Sequence, residues 1–159
     1  MGIRRILRLA LLSLVGLFVL IQFLPYGRAH TNPPVTAEPQ WDRRGTRELA
    51  AVSCFDCHSN LTEWPWYTNV APMSWLVQRD VDEGRDTMNF STWDRPQPEA
   101  DGFYQVIEEG EMPPSTYTLI HPSAGLDDAE RKELIDGLRA TFQTSPPIPG
   151  GGEGEEEGE

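Results

Sequence analysis

Cys54-Phe55-Asp56-Cys57-His58 is the stretch that decides the fold of this 159-residue chain. Two cysteines separated by two residues and followed at once by a histidine form the pattern to which haem is attached covalently. The two thiols would add to the two vinyl groups of haem as thioethers, and the histidine would ligate the iron from one face. The chain contains no other cysteine. The motif therefore predicts one covalently attached haem c.

Three other uses of a cysteine pair at this spacing compete with haem attachment. A zinc site usually needs four ligands, and the remaining histidines, His30 and His121, do not stand at a paired spacing. A thioredoxin-like redox pair needs a βαβ context, and the sequence has no buried β-rich run. A structural disulfide between Cys54 and Cys57 stays open, because a protein outside the cytoplasm can keep one. Haem attachment is the interpretation we favour.

Residues 1–27 predict a membrane anchor. Arg4, Arg5 and Arg8 accompany an apolar run that reaches residue 24. As a helix this run would be about 28 Å long, close to the ~30 Å hydrocarbon core of a bilayer. A cleaved signal peptide is the alternative, although its apolar part is usually only about 7–15 residues. The positive-inside rule keeps the arginines in the cytoplasm and puts the haem domain on the extracytoplasmic, periplasmic side, where such attachment takes place in bacteria.

The rest of the chain divides into a linker, one domain and a tail. Residues 28–41 are rich in proline and predict an extended linker. Residues 42–144 form the globular part, which is small enough for its own core to be marginal, so that a covalently held haem would supply missing apolar surface. Residues 145–159 contain three prolines and then a Gly/Glu run, a composition that predicts a disordered acidic tail.

The globular part predicts an all-α fold with long loops around one haem. The last helix has the clearest start, because Asp127 is followed three residues later by Glu130, the spacing of a capping box. An earlier helix carries apolar residues at the i, i+3, i+4 spacing of one face, and the last helix also carries its apolar residues on one face. The sequence has no long alternating β pattern. Helices are expected near residues 42–53, 72–83, 98–109 and 127–142.

The order of these features resembles the layout of class I c-type cytochromes. More closely, the stretches SCFDCHSN (53–60), WPWY (64–67), APMSW (71–75) and EMPP (111–114) resemble the small bacterial haem-binding domain family, whose members typically have an N-terminal anchor and one Cys-x-x-Cys-His motif. The resemblance implies haem binding and no particular reaction. Class I cytochromes further imply that the first and last helices cross and that haem sits in a pocket between loops.

His58 is the predicted proximal iron ligand, and Met112 is the favoured ligand on the opposite face. Met112 precedes Pro113 and Pro114. A residue before proline is held extended, and the prolines stiffen the loop, so a thioether could be held in place at little ordering cost. The Met-Pro pair also resembles class I cytochromes. His121, whose loop is stiffened by the next residue, is the alternative axial ligand, and an open iron position is the third possibility.

Two other methionines are less suited to the iron, because Met73 lies on a predicted helix face and Met88 lies in a polar loop. The second ring nitrogen of a ligating histidine usually donates to an acceptor. In class I cytochromes a proline carbonyl downstream of the motif takes this role, which Pro72 matches best and Pro65 second. Aromatic residues near the motif are expected to wall the porphyrin, to pack in the core or to reach the haem propionates: Trp64, Trp66, Tyr67, Trp75 and Tyr117.

The charge of the chain bears on its partners. The formal net charge is −12, which speaks against nucleic acid, because affinity for nucleic acid depends on neutralising phosphates. A basic redox partner protein could be steered by this charge. His/Met ligation raises the reduction potential and suits electron transfer, and no nucleophile–base constellation indicates an enzyme. Single-electron transfer is therefore the leading function. The alternatives are a five-coordinate haem sensor or peroxidase-like enzyme, and a haem-bearing accessory subunit of a membrane complex.

Overall fold

The computed structural model describes residues 2–150, and most of them are helical, as the sequence predicts. Two short strands, β1 (Pro96–Gln97) and β2 (Ile148–Pro149), pair in parallel. Three 3₁₀ turns cover Trp66–Asn69, Ala100–Gly102 and Pro122–Ala124. The α-helices are α1 (Ile3–Ile21), α2 (Arg44–Ser53), α3 (Phe55–His58), α4 (Met73–Thr87), α5 (Phe103–Glu108), α6 (Ser115–Ile120) and α7 (Asp128–Thr144).

The described residues form two compact units, and each contributes residues to the range 42–144 that the sequence predicts as one domain. The first unit comprises residues 2–31 and 64–80, and the second comprises residues 32–63 and 81–150. Helix α4 begins in the first unit and ends in the second. The Cys54–His58 motif belongs to the second unit.

In the first unit, the chain after α1 is fastened to the start of α4. The Gln22 side-chain amide donates to the Ala71 carbonyl and accepts from the Ala71 N–H, both at 3.0 Å. Gly27 has φ 76°, and a Cβ there would lie 2.0 Å from the Ser74 carbonyl oxygen, so no larger residue fits. Further along, the rings of His30 and Trp64 stack at 4.7 Å.

Helix α1 contains Arg4, Arg5 and Arg8 and has no buried residue. Among residues 2–150 the structure has no helix that is both long enough and apolar enough to span a membrane. The membrane anchor expected over residues 1–27 stays a prediction.

The second unit is built on the packing of α2 and α5 against α7. Thr46 of α2 is fully buried, and a Cβ on Gly137 of α7 would come within 2.1 Å of its Oγ1 atom, so the two helices touch at a glycine. The class I resemblance implies this pairing of the first and last helices. The apolar face expected on α7 is buried, and the core includes Phe55, Met88, Phe90, Phe103, Ile107, Leu134, Ile135, Leu138 and Phe142.

Some helices begin at residues other than the expected ones, because turns and prolines lie next to their first residues. The Asp127 carboxylate accepts from the backbone of Ala129 and Glu130, and the capping box predicted for α7 is confirmed. Helix α5 is shorter than expected because a 3₁₀ turn ending at Gly102 precedes it. Helix α6 was not predicted; it begins directly after Pro114, whose extended backbone suits the residue before a helix.

The expected linker and the start of the expected tail are both structured. Thr36 N–H donates to the Ser91 carbonyl at 2.9 Å, and Trp93 N–H donates to the Ala37 carbonyl at 3.0 Å, so this part of residues 28–41 joins the second unit. At the other end, the Trp93 indole donates to the Ser145 carbonyl at 3.0 Å, just before β2. Pairing satisfies backbone groups that would otherwise need water. The remainder of the predicted acidic tail, residues 151–159, lies outside the described residues.

Candidate haem-attachment site

The two cysteines and the histidine of the motif project from one helical turn. Cys54 lies between the two helices, as the C-cap of α2 and the N-cap of α3. The backbone N–H groups of Cys57 and His58 donate to the Cys54 carbonyl at 3.2 and 2.8 Å. Cys54 and Cys57 carry thiols instead of a disulfide, which is the form that thioether chemistry requires. Burial, and secondarily the charge of Cys57, raises the pKa of the Cys54 thiol to about 12, so this sulfur stays protonated at neutral pH.

His58 is 8% exposed, and its imidazole is held in the form that binds iron. Burial lowers the pKa of His58, and backbone hydrogen bonding to Met88 and Gly84 offsets part of this effect, so the ring is neutral at physiological pH. Its Nδ1 atom lies 3.1 Å from the Met88 carbonyl oxygen. A carbonyl only accepts, so the proton of the neutral ring is on Nδ1 and the lone pair is on Nε2.

The acceptor at Nδ1 is thus the Met88 carbonyl, and not that of Pro72 or Pro65, which the class I resemblance implies. Phe90 N–H also donates to the His58 carbonyl at 2.9 Å, so the segment after α4 fixes both the ring and the backbone of His58. The ring of Phe103 meets the imidazole edge-on at 5.6 Å. These contacts between protein groups alone define the orientation of the ring.

Helix α4 approaches the motif closely at Gly84. A Cβ at this position would lie 2.6 Å from the Cys57 carbonyl oxygen and 2.9 Å from the Cys57 Cβ. Arg85, the next residue, holds the chain that follows the motif: its Nε atom donates to the Ser59 carbonyl at 2.8 Å, and its guanidinium donates to Thr62 Oγ1 at 2.9 Å. The end of α4 therefore supports the turn that carries Cys54, Cys57 and His58.

The two spacer residues of the motif are also fixed. Phe55 is 5% exposed and packs against Trp41 and Phe90. Asp56 accepts a 2.6 Å hydrogen bond from the Tyr117 hydroxyl at Oδ2 and a 2.9 Å hydrogen bond from the Glu63 N–H at Oδ1. The structure thus brings Tyr117, one of the predicted site residues, to the motif through a carboxylate that lies between the two cysteines.

A cavity of about 450 Å³ lies beside Phe55 and Asp56, the two residues between the cysteines of the motif. His121 is in its wall, and its ring stacks on that of Tyr117 at 4.3 Å. The alternative axial ligand is therefore close to the motif's own spacer residues. The lining residues are Arg47, Ala51, Val52, Phe55, Asp56, Leu61, Glu63, Tyr117, His121, Ser123 and Ala124.

Met112, the favoured axial ligand, is half-buried and packs against the core cluster that contains Phe55 and Met88. Its N–H donates to the Val106 carbonyl at 3.0 Å, which fastens the loop to α5. Met88 is 1% exposed and is a core residue that contributes its carbonyl to the site. Met73, which the helix pattern placed on a packed face, is 37% exposed.

The remaining predicted pocket residues belong to the first unit, and their role at the haem stays a prediction. Trp66 is 78% exposed, and Tyr67 meets its ring edge-on at 6.1 Å. Trp64 stacks on His30, Pro72 is exposed at the start of α4, and among the described residues the buried indole N–H of Trp75 has no hydrogen-bond partner.

Sequence reasoning missed the supports of His58. The carbonyl of Met88 carries no sequence signal, because every residue has one. Gly84 does carry a signal, since a glycine inside a helical pattern often marks a close approach. Two thiols and a neutral, oriented imidazole on one turn fit the attachment of haem c, which needs thiols for its vinyl groups and a nitrogen lone pair for its iron.

The fold and the site together define a small, mostly helical protein with a turn suited to haem. A family model described as a haem-binding domain matches residues 16–140, and the chain belongs to that family. Neither the curated proteins nor the solved structures give a significant match to the chain.

Proposed function

We propose that the chain carries one haem attached covalently through Cys54 and Cys57, with His58 on the iron, and that it passes single electrons. The observation that carries this proposal is the state of His58: buried, neutral and with Nδ1 held by the Met88 carbonyl. Membership of the haem-binding domain family supports the cofactor. The adjacent thiols support its covalent attachment.

Each residue of the motif has a defined task in this proposal. The Cys54 and Cys57 sulfurs would each form a C–S bond to a vinyl carbon, and each thiol hydrogen would go to the neighbouring carbon, so attachment would need no oxidant. His58 supplies the Nε2 lone pair. The Met88 carbonyl keeps the ring oriented, and the surrounding aromatic core excludes water from it. When bound, haem supplies an iron that accepts and returns one electron.

Met112 is the proposed second ligand, and His121 is the alternative. Met112 has the support of a loop fastened to α5. His121 has the support of its place in the cavity beside Phe55 and Asp56. The two ligands predict different potentials, since a thioether favours the ferrous state more than an imidazole does.

We further propose an extracytoplasmic location for the haem domain and attachment of the chain to a membrane through α1. The apolar side chains of α1 are exposed along its length, and none is buried. Large exposed apolar surfaces mark contact with a membrane or a partner. The net charge of −12 supports a basic protein as redox partner.

The test is the reduced absorption spectrum of protein from a host that attaches haem to such motifs, measured in alkaline pyridine. The position of the α band reports the number of thioethers, so the wild type is expected to show two, and Cys54→Ala and Cys57→Ala one each. A wild-type band without thioethers would refute covalent attachment.

The same samples without pyridine test the second ligand. Met112→Ala is expected to lose the low-spin, six-coordinate spectrum, while His121→Ala keeps it. The reverse pattern would show that His121 is the second iron ligand. An unchanged spectrum in both variants would show that neither residue is.

A further inference from the structure

One peptide group links His58 to a buried side chain on β1. The carbonyl of the Met88–Asn89 peptide accepts from His58 Nδ1 at 3.1 Å. The N–H of the same peptide donates to the Gln97 Oε1 atom at 2.7 Å. The imidazole, the peptide and the Gln97 amide therefore form one continuous chain of hydrogen bonds inside the second unit.

The Gln97 side chain has one possible orientation. Its Nε2 atom donates to the Thr92 carbonyl at 2.9 Å and to the Arg95 carbonyl at 3.0 Å. Since both partners only accept, the NH₂ group must face them and the oxygen must face Asn89. Gln97 is 3% exposed, so water does not compete for these bonds.

The peptide is also held from its other side. The Asn89 side-chain amide donates to Asn60 Oδ1 and accepts from the Ser91 N–H, both at 2.9 Å. Asn89 is 7% exposed. The plane of the peptide is thus fixed by side chains that do not touch His58, which makes its carbonyl a rigid acceptor.

We propose that Gln97 is a positioning residue that sets the electron donation of His58 to the iron through the Met88–Asn89 peptide. Hydrogen bonds in a chain polarise one another, so the bond from the N–H to Gln97 makes the Met88 carbonyl a stronger acceptor. A stronger acceptor at Nδ1 makes a ligating imidazole more basic. A more basic imidazole stabilises ferric iron, which lowers the reduction potential. This inference rests on the proposed haem ligation by His58.

The experiment compares the reduction potentials of haem-bearing variants. Gln97→Leu removes the acceptor for Asn89 N–H together with the two donated bonds, whereas Gln97→Glu keeps an oxygen acceptor. Gln105→Leu, at an exposed glutamine on α5, is the matched control. We expect a positive shift of the potential in Gln97→Leu, no shift in Gln105→Leu, and a potential in Gln97→Glu at or below that of the wild type. A folded, haem-bearing Gln97→Leu protein with the wild-type potential would overturn the proposal.

A second readout does not depend on the iron potential or on a variant that folds. In the wild type, with or without haem, amide exchange and ¹H–¹⁵N spectra should show the Asn89 N–H protected and the His58 Nδ1–H hydrogen-bonded. An Asn89 amide that exchanges as fast as an exposed amide would overturn the proposed chain of hydrogen bonds. An intact mass without haem would instead refute the proposed function. In that case the Asn89 and His58 signals would still decide whether the chain of hydrogen bonds exists.

Discussion

Replacing Gly84 with alanine tests the contact between α4 and the turn that carries the Cys54–His58 motif. The added methyl would lie 2.6 Å from the Cys57 carbonyl oxygen and 2.9 Å from its Cβ, so α4 or the turn has to move. Overpacking of this kind costs about 1–3 kcal/mol. Alanine in place of glycine within a helix returns up to about 1 kcal/mol through helix propensity. The expected net change is therefore a loss of about 0–2 kcal/mol in the free energy of unfolding.

Gly45→Ala is the matched control for this substitution. Gly45 is also in a helix, and the nearest atom to its added methyl, Glu133 Oε1, would be 3.6 Å away, an ordinary contact. Because the propensity gain is common to both variants, Gly84→Ala should be less stable than Gly45→Ala by about 1–3 kcal/mol.

Urea unfolding of the haem-bearing proteins measures this difference. The potential of the Gly84→Ala protein should also change, because the Gly84 carbonyl accepts from the Met88 N–H at 3.1 Å and the Met88 carbonyl orients His58. Equal stability of the two variants, with an unchanged potential, would refute the close packing of α4 on the motif.

Three further substitutions test the second unit. Glu38→Gln removes the partner of Arg47, whose hydrogen bond is the main cause of the lowered pKa of Glu38. The partly exposed pair should contribute about 1 kcal/mol or less at pH 7. Because this contribution is lost as pH falls through the lowered pKa of Glu38, the difference in urea midpoint between variant and wild type should shrink steadily on acidification. Asp127→Ala should cost about 1 kcal/mol in thermal unfolding through loss of the α7 cap, and an unchanged melting temperature would contradict it. Gly137→Ala should destabilise by about 1–3 kcal/mol through contact with Thr46, whereas a gain in stability would show that α2 and α7 do not touch there.

The features that could be predicted from the sequence are those that depend on residues close together in the chain. The capping box at Asp127 depends on two residues three apart, and it forms as expected. The apolar spacing of α7 likewise predicts its buried face. The motif predicts its own chemistry, because thiols and an imidazole at this spacing have few other uses.

The features that could not be predicted depend on which distant segments meet. The class I resemblance implies a proline carbonyl as the acceptor for His58 Nδ1, but any residue has a carbonyl, and packing places that of Met88 there. Residues 32–41 have the composition of a linker, yet hydrogen bonds with residues 91 and 93 tie them to the second unit. The sequence around Gln97 carries no signal that distinguishes it from an ordinary loop residue. Its role depends on three hydrogen bonds that form only in the folded chain.

The intact mass of the denatured protein is the most direct test of covalent haem attachment. The protein should be produced in a host that attaches haem to a known Cys-x-x-Cys-His protein, which serves as the positive control, and loose haem should be extracted with acidified acetone before measurement. The account predicts the mass of the chain plus one haem for the wild type, and the mass of the chain alone when Cys54 and Cys57 are both replaced by alanine. A wild-type chain that carries no added mass, in cells where the control protein is fully loaded, would contradict the account.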